Sequence, residues 1–183
     1  MDRALVERAQ RGDREAYEAL ARASARRLYL TAHRIVRDTD RADDAAQQAL
    51  VAMWRELPSL RDPDRFEAWT YRLVVRFCLQ ESRRIRRTGV REIRIDETIP
   101  VSSNAYADAD LRDQLERALR TLSLEHRTVV VLHHYAGLPL GEIAGIVGVP
   151  YGTVRSRLHH ATTALRAAID AGERTTVVGG QSA

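Results

Sequence analysis

Six side chains near the C-terminal end have the chemistry to read double-stranded DNA: Tyr151, Thr153, Arg155, Ser156, His159 and His160. On a helix they share the face opposite Val154, Leu158, Ala161 and Leu165. In the major groove an arginine can bond guanine O6 and N7 together, and a serine or threonine hydroxyl can reach bases or phosphates. Gly152 adds no side chain, so backbone N–H groups at the helix start can approach a phosphate closely. An ordinary helical hairpin shows the same amphipathic spacing. The basic, hydroxyl-rich outer face and the placed glycines favour DNA.

The elements that must position this face are legible nearby. Leu140, Ile143, Ala144 and Val147 recur at the spacing of one helical stripe. Gly148 suits the left-handed residue that ends a helix, and Val149-Pro150 turn the chain into the next one. The pattern is a helix-turn-helix whose second helix starts at Tyr151. Upstream, Leu111, Leu115, Ala118, Leu119 and Leu122 mark another helix. Ser123 caps the one after it, in which Val129, Leu132, His133 and Ala136 face inward, and Gly137 closes that helix.

A second chemistry-bearing set lies earlier. Phe66, Trp69, Leu73 and Phe77 form the inner stripe of a helix starting near Asp64. Its outer side and far end carry Arg72, Arg76, Arg83, Arg84, Arg86 and Arg87. Such a run is either a solvated face or a stripe that tracks phosphates, and nearby aromatics can stack on exposed bases. The polar turn Asp62-Pro63-Asp64 precedes it. Before that, Ala42, Ala45, Ala46, Ala49, Leu50, Met53 and Leu57 give one apolar side of a helix whose other side shows Asp43, Asp44, Gln47 and Gln48. Asp13 and the Asp38–Asp40 segment cap the helices that follow them, and Ala16, Tyr17, Leu20 and Ala23 stripe the helix reaching about Val36. A shorter helix opens the chain with Leu5, Val6 and Ala9.

Composition narrows the classes. All 29 side chains counted as Lys or Arg are arginine, the net charge is +4 and the pI is near 9.7. That balance mildly favours a polyanionic partner, although codon composition produces the same arginine bias. The single Cys78 excludes an internal disulfide and a cysteine zinc site. No glycine-rich phosphate loop or His-Glu-x-x-His appears, and the adjacent pairs His133-His134 and His159-His160 are poor metal clamps. No catalytic constellation, cofactor site or metal site is expected. No apolar run spans a membrane and no signal peptide opens the chain, so a cytoplasmic protein without membrane insertion is expected.

Periodicity fails over 93–109, where Asp96, Glu97 and Asp108 make the chain acidic. The expected layout is all-α, with two small helical domains. They occupy residues 1–92 and 110–170, joined by a flexible linker over 93–109 and followed by a mobile tail over 171–183. The linker's low apolar content predicts that the two halves move relative to one another.

Read together, the motifs resemble a bacterial RNA polymerase sigma factor of the extracytoplasmic-function (ECF) type. Gly12-Asp13-Arg14-Glu15-Ala16-Tyr17 with Leu20 resembles the opening of sigma region 2, and Ala42-Asp43-Asp44 with Gln47-Gln48 and Trp54-Arg55 resembles region 2.2. Phe66-Glu67-Ala68-Trp69 with Tyr71-Arg72 and Arg83-Arg84 resembles regions 2.3 and 2.4. Leu122-Ser123 with His126-Arg127 resembles region 4.1, and Gly148-Val149-Pro150 with Gly152-Thr153-Val154-Arg155-Ser156-Arg157-Leu158 resembles region 4.2.

The resemblance implies a factor that binds core RNA polymerase and directs initiation at specific promoters, and it implies roles for the residues. Asp43, Asp44, Gln47 and Gln48 would dock on the β′ clamp helices, and region 4 would meet the β flap. The loop from Arg61 to Arg65 would hold a flipped base of the −10 element, and Trp69, Arg72, Arg76, Arg83 and Arg84 would grip that DNA. Tyr151, Thr153, Arg155, Ser156, His159 and His160 would read the −35 element. The acidic linker would thread the polymerase near the RNA exit channel, and an anti-sigma partner would hold the factor.

Three positions depart from the family pattern. Arg76 stands where asparagine is common, Gln48 where an acidic residue is usual, and His160 where arginine is frequent, which would lower the phosphate affinity of region 4 or make it depend on pH. Two other classes remain to be weighed: a dimeric helix-turn-helix regulator acting on duplex operators, and an adaptor that binds only the polymerase. The first would need strands and a phosphoacceptor aspartate in the N-terminal half if it were a response regulator, and the arginine-rich helix argues against the second.

Overall fold

The structure, a computed structural model, describes the backbone of residues 1–88 and 106–179 and the side chains of residues 1–81 and 114–170. Its helices are α1 (Arg3–Gln10), α2 (Arg14–Val36), α3 (Thr39–Glu56), α4 (Phe66–Thr88), α5 (Tyr106–Thr121), α6 (Leu124–Val130), α7 (Leu140–Val147) and α8 (Tyr151–Gly179). No strand occurs among the described residues, so the all-α expectation holds.

The helices start where short acceptor side chains satisfy their first N–H groups. The Asp13 carboxylate accepts from the Ala16 N–H at 3.0 Å, the Asp38 carboxylate from Arg41 N–H at 2.9 Å and the Ser123 hydroxyl from His126 N–H at 3.3 Å. The bond from Ala16, followed by the one from the Arg8 guanidinium, holds the Asp13 carboxyl below its ordinary pKa. α2 ends on Arg37 in the left-handed conformation (φ 60°), and α7 ends on Gly148 (φ 70°), where glycine carries no steric penalty. Between α6 and α7 the residues Val131–Tyr135 form a π turn, with Ala136 N–H donating to the Val131 carbonyl at 3.0 Å.

In the N-terminal half α3 packs against both α2 and α4. Leu20, Leu28, Ile35, Met53, Phe66, Leu73, Val74 and Val75 lose nearly all contact with water there. Burial of a side chain of this size stabilises by roughly 1.5–3 kcal/mol. Two stripe positions differ from expectation. Ala23 is exposed and Ser24 takes the buried place, because the inner line of α2 advances by four residues per step through Ala16, Leu20, Ser24 and Leu28. Leu115 is exposed as well, leaving Ala118, Leu119 and Leu122 to form a small cluster with Val130, Ala161 and Leu165.

The two halves are in contact in this structure. Val129, Val131, Leu132, Ile143 and Val154 belong to the same apolar cluster as the N-terminal core. α7 lies on α4, and α6 with the π turn lies on α2. The sequence argument weighed only the apolar content of the linker, whereas the contact is made by helix faces. Residues 93–105 of the expected linker lie outside the described residues, and α5 already begins at Tyr106. Within the expected tail, the backbone of α8 continues past residue 171 to Gly179, since Gly172 weakens a helix without stopping it.

Cys78 is fully buried on α4, and that burial pushes its thiol pKa up to about 12. The nucleophile is the thiolate. The thiol is therefore expected to resist iodoacetamide at pH 8 in the folded chain and to react within minutes in denaturant, as mass spectrometry of quenched samples would show.

Candidate nucleic-acid interface

The helix-turn-helix forms as its sequence requires. Ile143 of α7 and Val154 of α8 are fully buried, and Gly148 N–H closes the turn on the Ala144 carbonyl at 3.0 Å. The first turn of α8 is set by Thr153 N–H donating to the Pro150 carbonyl at 2.9 Å. Tyr151, Arg155, Ser156, His159 and His160 are exposed on one side and Thr153 is half-buried beside them. Arg155 forms no ion pair among the described residues, so its guanidinium keeps all five donors for another partner. His160 faces the His126 ring edge at 6.5 Å, and the Ser123 hydroxyl lies 2.9 Å from His126 Nδ1.

The N-terminal half gathers a second basic surface. Between α3 and α4 the chain makes short 3-10 turns at Leu57–Ser59 and Pro63–Arg65. The Gln10 amide donates to the carbonyls of Leu57 at 3.1 Å and Leu60 at 2.7 Å, which pins the loop to α1. Asp62 accepts from Asp64 N–H at 3.1 Å and fixes the turn into α4. Arg61, Asp62, Arg65, Trp69 and Arg72 then line one cavity of about 350 Å³. An indole wall with guanidinium groups around it can stack a flat base and hold the adjoining phosphates. The far wall comes from α7, where Glu142 approaches Arg65 at 3.7 Å.

Arg76 lies one turn beyond Arg72 but is already engaged. Its guanidinium donates to both carboxylate oxygens of Glu56, at 2.6 and 3.3 Å, and sits 4.9 Å from the Phe77 ring centroid. The Arg83 and Arg84 side chains lie outside the described residues. On α3, Asp43, Asp44, Gln47 and Gln48 share one exposed face, with Gln47 donating to Asp43 at 2.7 Å. Sequence reasoning gave no site role to two neighbours of these groups, although Trp54 was part of the motif. Val51 and Trp54 continue the Gln47 face at helical spacing and are half exposed, a signal available as apolar residues off the buried stripe. Trp54 is braced edge-on by Tyr17 at 4.5 Å. Glu56 carried no such signal, because its pairing with Arg76 is non-local.

With this geometry established, the chain was compared with known proteins. The family described as Sigma-70 region 2 matches residues 20–88, and Sigma-70, region 4 matches residues 112–165. The ECF RNA polymerase sigma factor SigM of Mycobacterium tuberculosis is 32% identical, over 84% of this chain and 77% of that protein. The ECF RNA polymerase sigma-E factor of Escherichia coli is 30% identical, over 90% of this chain and 92% of that one. Among solved structures, the sigma factor RpoE of Bartonella quintana, in complex with the anti-sigma factor NepR, is 23% identical. It superposes with a TM-score of 0.68 over 84% of this chain and 96% of its own, a likeness of fold.

The Arg76–Glu56 pair is half open to water, where such pairs contribute about 0.2–1 kcal/mol. A thermal-unfolding double-mutant cycle on Arg76→Ala and Glu56→Ala is expected to give a coupling in that range. A value above about 2 kcal/mol would mark a desolvated, fixed pair instead.

Proposed function

Since this chain belongs to the sigma-70 family of RNA polymerase sigma factors, in its ECF branch, we propose how its residues divide the work of finding a promoter. The factor directs promoter-specific transcription initiation, and the family it belongs to is regulatory rather than catalytic. In our reading the α8 face of Tyr151, Thr153, Arg155, Ser156, His159 and His160 reads the −35 element as duplex. The cavity of Arg61, Arg65, Trp69 and Arg72 takes a flipped base of the −10 element, with Arg76, Arg83 and Arg84 extending the grip along the strand.

The observation that carries this division is the convergence of two arginines from the α3–α4 loop with an indole and a third arginine from α4 on one base-sized cavity. A flipped base costs a few kcal/mol of stacking and pairing, which a stacking indole offsets only in part. The remainder falls on binding energy shared with the polymerase. The exposed α3 face of Asp43, Asp44, Gln47 and Gln48 docks the β′ clamp helices, and the C-terminal half meets the β flap. Gln48 brings no charge to that contact. An anti-sigma protein is the expected inhibitor, by analogy with the RpoE–NepR complex. Among the described residues no helix is long and apolar enough to cross a membrane. A dimeric operator-binding regulator is not favoured, because the family match covers the N-terminal half as well.

Run-off transcription with core polymerase, on a pool of promoters from the host genome, tests the reading. Defined start sites should appear only with this protein present. Arg155→Ala should lower initiation about tenfold or more at promoters that keep a −35 element, since a bidentate base contact is worth about 1–3 kcal/mol. Trp69→Ala should leave duplex −35 binding unchanged and slow strand opening, as followed by permanganate reactivity of unpaired thymines. Equal effects of both substitutions on duplex binding would refute the division of labour.

A further inference from the structure

Arg76 stands on α4 as half of a built pair. Its Nη1 and Nη2 groups donate to the two carboxylate oxygens of Glu56, at 3.3 and 2.6 Å. The Phe77 ring centroid lies 4.9 Å from the guanidinium carbon. A carboxylate at one end and a ring beside it restrict a planar cation more than either does alone.

Glu56 is itself held. It is the last residue of α3, and its carbonyl accepts from the Ser59 hydroxyl at 2.6 Å. The following residue, Leu57, is buried and its carbonyl accepts from the Gln10 amide at 3.1 Å, as that of Leu60 does at 2.7 Å. The backbone that carries Glu56 is therefore tied both to α1 and to the core. The side chains of Arg76 and Glu56 are still 40% and 39% exposed, so the pair can be approached from solvent.

What the pair leaves unused decides its chemistry. A guanidinium carries five N–H donors in one plane. Glu56 takes the end formed by Nη1 and Nη2. The side formed by Nε and Nη2 keeps two parallel donors, and no carboxylate other than Glu56 pairs with Arg76 among the described residues. Two parallel donors match two adjacent acceptors in one plane. Guanine offers such a set at N7 and O6, and cytosine, once unpaired, at N3 and O2. Adenine sets its N6 amino group beside N7 and N1, and thymine sets its N3–H between O4 and O2. A phosphate has the acceptors too, but Glu56 already neutralises this guanidinium, which weakens its pull on an anion and leaves its hydrogen bonds to a neutral base edge. Arg72, about 6 Å earlier along α4, has no carboxylate partner among the described residues and suits a phosphate better.

We propose that Glu56 is a positioning residue that makes Arg76 a base reader rather than a phosphate contact. The base it selects is a guanine or an unpaired cytosine, next to the one taken by the Trp69 cavity. This deepens the −10 assignment above and rests on it.

The test uses holoenzyme assembled from core polymerase and this factor. Promoter templates premelted over the −10 strand, with that strand randomised, are retained and sequenced. The unsubstituted factor should enrich guanine or cytosine over adenine and thymine at one position by about fivefold or more, the size of a bidentate base contact. Arg76→Lys keeps the charge without the planar fork and should abolish that enrichment. Glu56→Gln should lower it about two- to fivefold, the size of a half-exposed pair, while retention of the whole pool holds or rises. Glu15→Gln makes the same charge change on an exposed part of α2 and should leave the enrichment alone. 7-Deazaguanine or 3-deazacytosine at the enriched position, each lacking one acceptor, should remove the advantage of whichever base is read. Thermal unfolding of each variant checks that it is folded. Enrichment that survives in both folded variants, Arg76→Lys and Glu56→Gln, would overturn the proposal and leave the −10 assignment standing. So would enrichment that survives the deaza substitutions. No enrichment at any position, with Trp69→Ala also without effect, would refute both.

Discussion

Helix α4 is gripped along one face by α2 and α3 and meets α7 along the other, and both halves of the molecule take their positions from it. Phe66, Leu73, Val74, Val75 and Cys78 bury its inner side against α2 and α3. The Asp62 turn and the Gln10 bonds fix where it begins. Rotation of α4 by one residue, about 100°, would carry Trp69 and Arg72 off the cavity and bring polar groups into the core. The penalty for burying those groups therefore keeps Trp69 and Arg72 in place. The same outer face receives α7, so the core of the N-terminal half also decides where the C-terminal half rests.

The two basic surfaces suit different forms of DNA for local reasons. α8 presents side chains in a row along a straight, exposed helix, a shape that fits a groove. The α3–α4 loop instead makes a concave site with an aromatic wall, which fits a base that has left its stack. Arg155 pairs with no carboxylate among the described residues, whereas Arg65 and Arg76 each face one, Glu142 and Glu56. On the proposed assignment, the duplex-reading surface is available as it stands, and the strand-reading surface must exchange partners at Arg65.

Local features were legible in the sequence and long-range ones were not. Asp13, Asp38 and Ser123 were recognisable as caps because a cap needs only a short acceptor and the next three residues. Gly148 and the stripes of α3 and α7 were equally plain. The convergence of Arg61, Arg65, Trp69 and Arg72 followed from the family resemblance rather than from spacing. The pairing of Arg76 with Glu56 spans 20 positions and that of Arg37 with Glu116 spans 79, and periodicity says nothing about either. The contact between the halves is of the same long-range kind: Leu132 and Ile143 lie on stripes that read as the core of one small domain, and they also serve the other.

α8 has a mechanical consequence. At 29 residues it is about 43 Å long, an unbroken rod from the Tyr151 end to Gly179. Its middle, at Ala161 and Leu165, is clamped by α5 and α6, and no joint separates that clamp from the exposed tip. From that clamp to the Tyr151 tip the rod is about 15–21 Å long, so a pivot of 10° there swings the tip by about 3 Å, roughly one base-pair step of duplex. Under the proposed reading, small adjustments where α5 grips α8 shift the exposed tip along DNA.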